Sequence, residues 1–421
     1  MLKLERLVIK KLFGTFDYTI DLKPDDLTVL ISPNGYGKTT ILRILYELAQ
    51  RNFLYFVGLN FQKIEICLTN EQSIVIEKQD NTQLCVTIDS KPYSVNFKKI
   101  LKWLYNEDPF FQESGNIQNI VSKSSNTLGY EYIIKYVNRQ FDGIPEFQFP
   151  NIYLIREQRL LRKIENKRNN NRMRKIYGRY WEQLQSKPKL IFEETIDKYA
   201  NVLKEIIVKA DSEYAEKSRE LDSSYPRRLI ESKTEIPENN FKTRFDKIKE
   251  TQRLLQKYGI SVTYEENSLD FDPVNAKALY VYINDVEEKL RVFEPLLKTL
   301  NLFSEILHSK EFPHKNITIS KEYGLKFVTD NGDSLELSGL SSGEQHEIVL
   351  LFDLLFQADQ NTLVLIDEPE ISLHIVWQKA FLADMLKIIE LQKISVMVAT
   401  HSPQIVNDYW ENVIDFGGYV T

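Results

Sequence analysis

Residues 27 to 49, LTVLISPNGYGKTTILRILYELA, constrain this chain more than any other stretch. The short, almost continuous apolar run Leu27–Ile31 predicts a buried strand, and the apolar spacing from Ile41 onward predicts an amphipathic helix. The segment between them fits G-x-x-x-x-G-K-[ST], with Ser32 in place of the first glycine. In that pattern backbone N–H groups at a helix N-terminus wrap the β- and γ-phosphates of a nucleotide. Lys38 would bring a positive charge to those phosphates, and the Thr39 hydroxyl would hold Mg²⁺. Gly35 and Gly37 allow the sharp backbone and its close approach. If the first position demands an unusual backbone, Ser32 costs roughly 1–3 kcal/mol of local strain.

Three further stretches follow in a fixed order. LSGLSSGEQ contains Leu340, Ser341, Ser342, Gly343 and Glu344 ahead of a predicted helix over 344–357. A serine hydroxyl and free amides at a helix N-terminus make an anion site. The same residues also read as a plain N-terminal cap, with Ser342 as the cap and Gln345 completing a capping box. LVLIDEPEISLH is a buried-type strand ending in Asp367 and Glu368. A carboxylate at a strand end can organise the Mg²⁺ shell, and the next one can orient or deprotonate an attacking water. SVMVATHSPQIV places His401 just after another strand, where it could sense the terminal phosphate.

Taken together, the order is phosphate loop, serine-glycine segment, Asp-Glu strand end and histidine, with about 300 residues between the first two. It resembles the ATP-binding-cassette (ABC) ATPases of the group that includes SMC proteins, RecF and overcoming-lysogenisation-defect proteins. The matching residues are Asn34, Gly35, Gly37, Lys38, Thr39, Thr40, Ser341, Gly343, Glu344, Asp367, Glu368 and His401. Ser32 and Ser342 replace family glycines. The stretches LSSGEQHEIVLL, IDEPEISLHIVWQ and ATHSPQIV are similar to AAA family ATPases of bacterial anti-phage systems, first the PARIS (AriA-type) and next the Septu and retron-associated (PtuA-type) subunits.

The resemblance implies an α/β fold: an ABC-type P-loop head interrupted by a mainly helical insertion. It implies ATP and Mg²⁺ as cofactors, with Thr39 and Asp367 at the metal and Glu368 and His401 as catalytic residues. It also implies a homo-oligomer built on head-to-tail dimers, in which Ser341, Gly343 and Glu344 of one chain complete the site of the other. His374 falls at the family's interface loop, as a contact or as packing, and His346 on the signature helix reads as packing or exposure. Gln158 is a candidate for the family's Q-loop glutamine.

The rest of the chain sets the frame. Its 421 residues suffice for one large domain with an insertion, or for two to three smaller ones. We expect the two halves of the head at 1–155 and 313–421, and the helical insertion at 156–312. Residues 62–97 read as a three-stranded meander, 98–140 as mixed and helical, and NIYLI at 151–155 as a buried strand. The insertion's helices should be interrupted at SSYPRR and at LLQKYGISVTYEEN. Asn331-Gly332-Asp333 reads as a hairpin turn. Cys67 and Cys85 read as reduced, half-buried strand residues.

A net charge of −6 and a pI near 5.7 exclude a chain that is basic as a whole, though not a local basic patch. From Arg156 to Arg179 ten Lys or Arg stand against two Glu. That run is either a phosphate-backbone or acidic-protein contact, through which DNA could bind, or a solvated loop. The N-terminus is too polar for a signal peptide and no apolar run reaches the roughly 18 residues of a membrane span, so a cytoplasmic protein with no membrane partner is expected. Twenty residues follow His401, and the five histidines form no metal or HNH pattern. If the chain serves in defence, the killing activity is expected in a separate effector of the TOPRIM or HNH nuclease type. The alternative is a RecF- or SMC-like repair ATPase that clamps DNA itself.

Overall fold

The structure, a computed structural model, describes residues 2–98, 144–156, 195–260, 270–310, 312, 314–371 and 373–418. In chain order these form β1 (Leu4–Leu12), β2 (Phe16–Asp21), β3 (Leu27–Ile31), α1 (Lys38–Ala49), α2 (Phe53–Gly58), β4 (Lys63–Leu68), β5 (Ser73–Lys78), β6 (Gln83–Ile88), β7 (Lys91–Asn96) and β8 (Asn151–Ile155). Then come α3 (Thr195–Glu231), α4 (Glu238–Lys257), α5 (Ala276–Leu290), α6 (Glu294–Ser309), β9 (Lys315–Ser320), β10 (Gly324–Thr329), β11 (Ser334–Leu335) and α7 (Ser342–Phe352). The last elements are β12 (Thr362–Asp367), α8 (Ile375–Gln392), β13 (Ser395–Thr400), α9 (Pro403–Val406) and β14 (Val413–Asp415). The chain divides into two compact units, residues 1–192 with 357–421, and residues 193–356.

The first unit carries two sheets. One is antiparallel, in the order β2-β1-β4-β5-β6-β7, and the other is parallel, in the order β14-β3-β13-β12-β8. Strands β3 and β12 read as continuous apolar runs because both of their faces are covered, and every residue of each is buried. On α1, Ile41, Leu42, Leu45 and Leu48 enter one core with Leu7, Ile9 and Ile64 of the antiparallel sheet and Leu30, Leu365 and Met397 of the parallel one. Residues 62–97 form four strands rather than the expected three. The extra turn pairs Ile88 with Lys91 across Asp89 and Ser90, at φ 46° and 68°. Two left-handed residues in a two-residue loop match the strand twist, and an Asp-Ser pair can adopt them without the usual Asn-Gly signal. Cys67 and Cys85 are free and half-buried, as read from the alternation. The expected mixed segment 98–140 lies, but for Lys98, outside the described residues.

The parallel register decides where chemistry can occur. Leu30 pairs with Ala399, which pairs with Asp367, and Ile31 pairs with Thr400. Ser32, Glu368 and His401 therefore leave the sheet at the same edge, beyond the carboxyl ends of three adjacent strands. That is where open parallel sheets bind ligands.

The second unit holds α3 to α6, the antiparallel sheet β11-β10-β9 and α7. Asn331 to Asp333 join β10 and β11, with Gly332 at φ 88°, as expected. SSYPRR does not interrupt the helix: α3 runs through Pro226 to Glu231. Proline removes one helical hydrogen bond there. Arg228, two residues on, donates to the Leu221 carbonyl at 2.6 Å within the helix and pairs with Asp285 of α5, which ties the last turn to a neighbouring helix. Gly324 opens β10 at φ 72° where α3 crosses it, and a Cβ there would stand 1.9 Å from the Ala200 carbonyl oxygen.

Candidate active site

The loop between β3 and α1 has the backbone its two glycines were expected to allow. Gly35 and Gly37 take φ 92° and 83°, a region that other residues enter at a cost. Gly37 also needs its missing Cβ, which would meet Phe13 Cε2 at 3.0 Å and Leu12 Cδ2 at 3.2 Å. Gly37 is the N-cap of α1, no side chain caps it, and no acid sits in the first turn. That leaves the positive end of a twelve-residue helix open to an anion. Ser32 is not among the left-handed residues, so the strain considered for it does not arise. Its cost is of another kind: Oγ is buried with no hydrogen-bond partner among the described residues.

Lys38 is buried, and its Nζ donates to the carbonyls of Ser32 at 2.7 Å and Pro33 at 3.2 Å. Burial lowers its pKa below the ordinary lysine value, and Glu368, Glu370 and Asp367 partly offset that shift. A desolvated ammonium held only by carbonyls is ready to exchange them for phosphate oxygens. Next to it, the Thr39 hydroxyl donates to Asp367 Oδ1 at 3.0 Å, across 328 residues of sequence. A hydroxyl and a carboxylate at the lip of a phosphate loop are the hard oxygen donors that Mg²⁺ prefers. The residues therefore fit both a nucleotide triphosphate and its metal. Asn34 and Gly35 are exposed at the loop tip, and Thr40 is half-buried in the first turn of α1.

Glu368 follows at φ 45°, with its N–H donating to the Ala399 carbonyl at 2.8 Å. A left-handed glutamate costs about 1–3 kcal/mol, held here by the sheet on either side. Its side chain is 20% exposed and reaches within 3.9 Å of His401 Nδ1. The His401 side chain is 40% exposed. A carboxylate and an imidazole thus share one solvent-accessible opening beside Lys38.

In the second unit, Ser341 and Ser342 are exposed at the start of α7, and Gly343 is half-buried. The capping box is present, but one residue earlier than read from the sequence. Ser341, not Ser342, is the cap, and Glu344, not Gln345, closes the box by accepting the Ser341 N–H at 2.7 Å. Lys315 decides the register, because its Nζ lies 2.8 Å from both Glu344 carboxylate oxygens and draws that side chain inward. Burial pushes the Glu344 carboxyl up, but Lys315 and the bonds with Ser341 outweigh it and hold the pKa below the ordinary value. Gln345 instead donates to the Ser338 and Leu340 carbonyls, which pins the loop before the helix.

Residues 3–406 match the family model of the AAA ATPase domain. The chain belongs to that family. The fold of this AAA ATPase is that of an ABC-type head, a mixed α/β arrangement of sheets and helices. Among solved structures it is similar to the Smc head domain of Pyrococcus furiosus, with an extended coiled coil bound to the C-terminal domain of ScpA. The identity is 15%, covering 99% of this chain and 93% of that one, with a TM-score of 0.37. It is also similar to the Smc head domain with coiled coil and joint from Pyrococcus yayanosii, at 15% identity, 99% and 95% coverage and TM-score 0.36. The SMC head domain of Thermotoga maritima gives 12% identity, 98% and 94% coverage and TM-score 0.35. No curated protein matches the sequence.

Two features of this AAA ATPase's site escaped the sequence reading. Tyr18 donates to the Tyr36 carbonyl inside the loop at 2.6 Å, and Phe16 lies 5.5 Å from the Tyr36 ring. Burial pushes the Tyr18 hydroxyl up to about 12, so it remains a donor. The alternation of FDYTIDL marks these rings as inward-facing, but not that they brace the loop. The second feature is Glu370, a buried carboxylate bonded to the end of β13.

Of the histidines, His374 caps α8, its Nδ1 accepting from Val376 N–H at 3.4 Å, and His346 is buried with Nδ1 2.7 Å from the Ser342 carbonyl. Gln158 and the basic run after Arg156 lie outside the described residues.

Proposed function

We propose that this AAA ATPase hydrolyses ATP with Mg²⁺, and that two copies, arranged head to tail, complete each site. The Thr39–Asp367 contact beside the buried Lys38 carries the first part: nothing in the strand or helix needs a hydroxyl and a carboxylate there, whereas a metal-bound triphosphate does. Lys38 and the open N-terminus of α1 would bind the phosphates. Mg²⁺, when bound, would offset the negative charge that grows on the leaving oxygen. Glu368 would take a proton from the attacking water as its oxygen bonds to the γ-phosphorus and the bond to the β-phosphate oxygen breaks. His401 would hydrogen-bond the terminal phosphate. The exposed, capped start of α7 supports Ser341, Gly343 and Glu344 as the element offered to a partner copy.

Glu368→Gln is the test. It should bind ATP as wild type does, lose turnover by about 10²- to 10⁴-fold, and accumulate as an ATP-held dimer by light scattering. Loss of ATP binding in this variant, or a monomer under saturating ATP, would defeat the reading.

At the cellular level we propose an ATPase subunit of an anti-phage system that holds and releases a separate effector. Its support is the wording of the three motif stretches. The Arg156–Arg179 run favours a second reading, a clamp on DNA. Glu368→Gln expressed with its neighbouring genes should co-purify with a stoichiometric protein partner. Recovery of DNA alone, lost on a salt wash, would favour the clamp. Among the described residues no helix is long and apolar enough to cross a membrane.

A further inference from the structure

Glu370 stands two residues beyond the Asp-Glu strand end, and its environment is not that of a turn filler. The left-handed Glu368 and Pro369 swing the chain back, so the Glu370 carboxylate lies beneath the end of β13. There Oε1 accepts from the Thr400 hydroxyl at 2.6 Å and from the His401 backbone N–H at 2.8 Å. His401 Nδ1 lies 3.0 Å from the same oxygen, although the ring is not turned to make a hydrogen bond. The Glu370 side chain is only 5% exposed, and its Oε2 is buried with no hydrogen-bond partner among the described residues. A buried carboxylate with one oxygen unsatisfied is costly. A glutamine could accept both the Thr400 hydroxyl and the His401 N–H through its carbonyl without carrying a charge. The charge therefore has a purpose beyond tying the loop.

We infer that Glu370 is the positioning residue for His401: it fixes the histidine's backbone and, by facing Nδ1, selects that nitrogen as the protonated one, leaving Nε2 for the terminal phosphate. A carboxylate behind an imidazole sets both its tautomer and its orientation. The bond to Nδ1 closes by a rotation of the ring. Glu370 itself touches neither substrate nor metal. Its nearest catalytic neighbour is Glu368, which approaches the same imidazole from the other carboxylate at 3.9 Å. The inference rests on the reading of His401 as the phosphate-sensing residue of an ATPase site.

The test uses the full chain and four variants: Glu370→Gln, Glu370→Ala, His401→Ala and Glu368→Gln. Turnover, KM for ATP and the affinity of a fluorescent ATP analogue are measured together. Nitrogen NMR of ¹⁵N-histidine-labelled protein reads the imidazole tautomer, with His401 assigned by its loss in His401→Ala. Glu370→Gln should lower kcat about 10- to 100-fold, leave analogue affinity within about twofold of wild type, and shift the His401 ring nitrogens. Glu370→Gln turning over like wild type would overturn the inference, because the amide keeps the loop bonds and lacks only the charge. So would a fall in kcat matched by an equal loss of nucleotide affinity with the ring signals unmoved, the mark of a structural staple. Glu370→Ala probes the loop itself, and Glu370→Gln decides the matter even if the alanine variant does not fold. Failure of the underlying reading shows elsewhere: wild type without Glu368-dependent turnover, or His401→Ala at full rate, removes the ATPase role of the pair and the inference with it.

Discussion

The ion pair between Lys310 and Glu347 gives the sharpest test of how the second unit is held together. Both side chains are 2% exposed, and Nζ lies 3.1 Å from Oε1. Glu347 sits on α7, one turn beyond Glu344, and Lys310 follows the last turn of α6. Lys310→Met keeps most of the stem's volume and deletes only the ammonium. The Glu347 carboxylate then loses this ionic partner inside a buried site. Removing one member of a buried pair costs about 3–5 kcal/mol. With a urea m-value of about 2 kcal/mol/M for a unit of this size, the midpoint should fall by about 1.5–2.5 M.

The readout must belong to the right unit. The four tryptophans, Trp103, Trp181, Trp377 and Trp410, all fall outside residues 193–356, so none belongs to the unit being perturbed. Among the described helices, α3 to α7 carry most of the circular dichroism at 222 nm, and that signal follows the change. Lys310→Met combined with Glu347→Leu should recover most of the loss, since a well-packed apolar pair often equals or exceeds a buried ionic one. A shift below about 0.5 M for the single variant, or a double variant as weak as the single, would refute the account.

Other outcomes follow from the same geometry. Thr39→Ala should weaken Mg²⁺-dependent nucleotide binding at least about tenfold while leaving metal-free binding nearly unchanged, by analogue titration with and without chelator. Glu344, whose pKa is held below its ordinary 4.5, contributes stability that is complete above that value and lost as pH falls through the lowered one. Acid unfolding followed at 222 nm should therefore lose part of its pH dependence below about pH 4.5 in Glu344→Gln, and an unchanged acid limb would contradict the Lys315–Glu344 pair. Gly324→Ala should cost about 3 kcal/mol or prevent folding of the second unit, because its new Cβ meets the Ala200 backbone and not a side chain that could swing away. A denaturation midpoint equal to wild type would show that α3 is not seated as described.

What the sequence determined by itself was the local frame of the candidate site. The loop 32–40, the acids at 367 and 368 and the histidine at 401 each follow a strand recognisable by its apolar run. Strand ends and helix starts carry that information within a dozen residues. The sequence also determined the hairpin at 331–333, where Asn-Gly needs no outside help, but misplaced the cap of α7. Ser341 and Ser342 compete there on equal local terms, and Lys315, 29 residues away, breaks the tie.

Only the tertiary structure decided which distant residues meet. The parallel register of β3, β13 and β12 brings Thr39 to Asp367 and His401 to Glu368. A register is a property of paired strands and leaves no mark on either one alone. Glu370 was invisible for the same reason. In the chain it is the second acid of a polar turn, and only the fold back under β13 makes it a buried carboxylate beside an imidazole. Pro226 shows the converse, since local propensity demanded a break in α3 and the Arg228–Asp285 pair to α5 holds the turn that follows. Burial and pairing energies act between segments, whereas propensities act within them, and the site is assembled by the former.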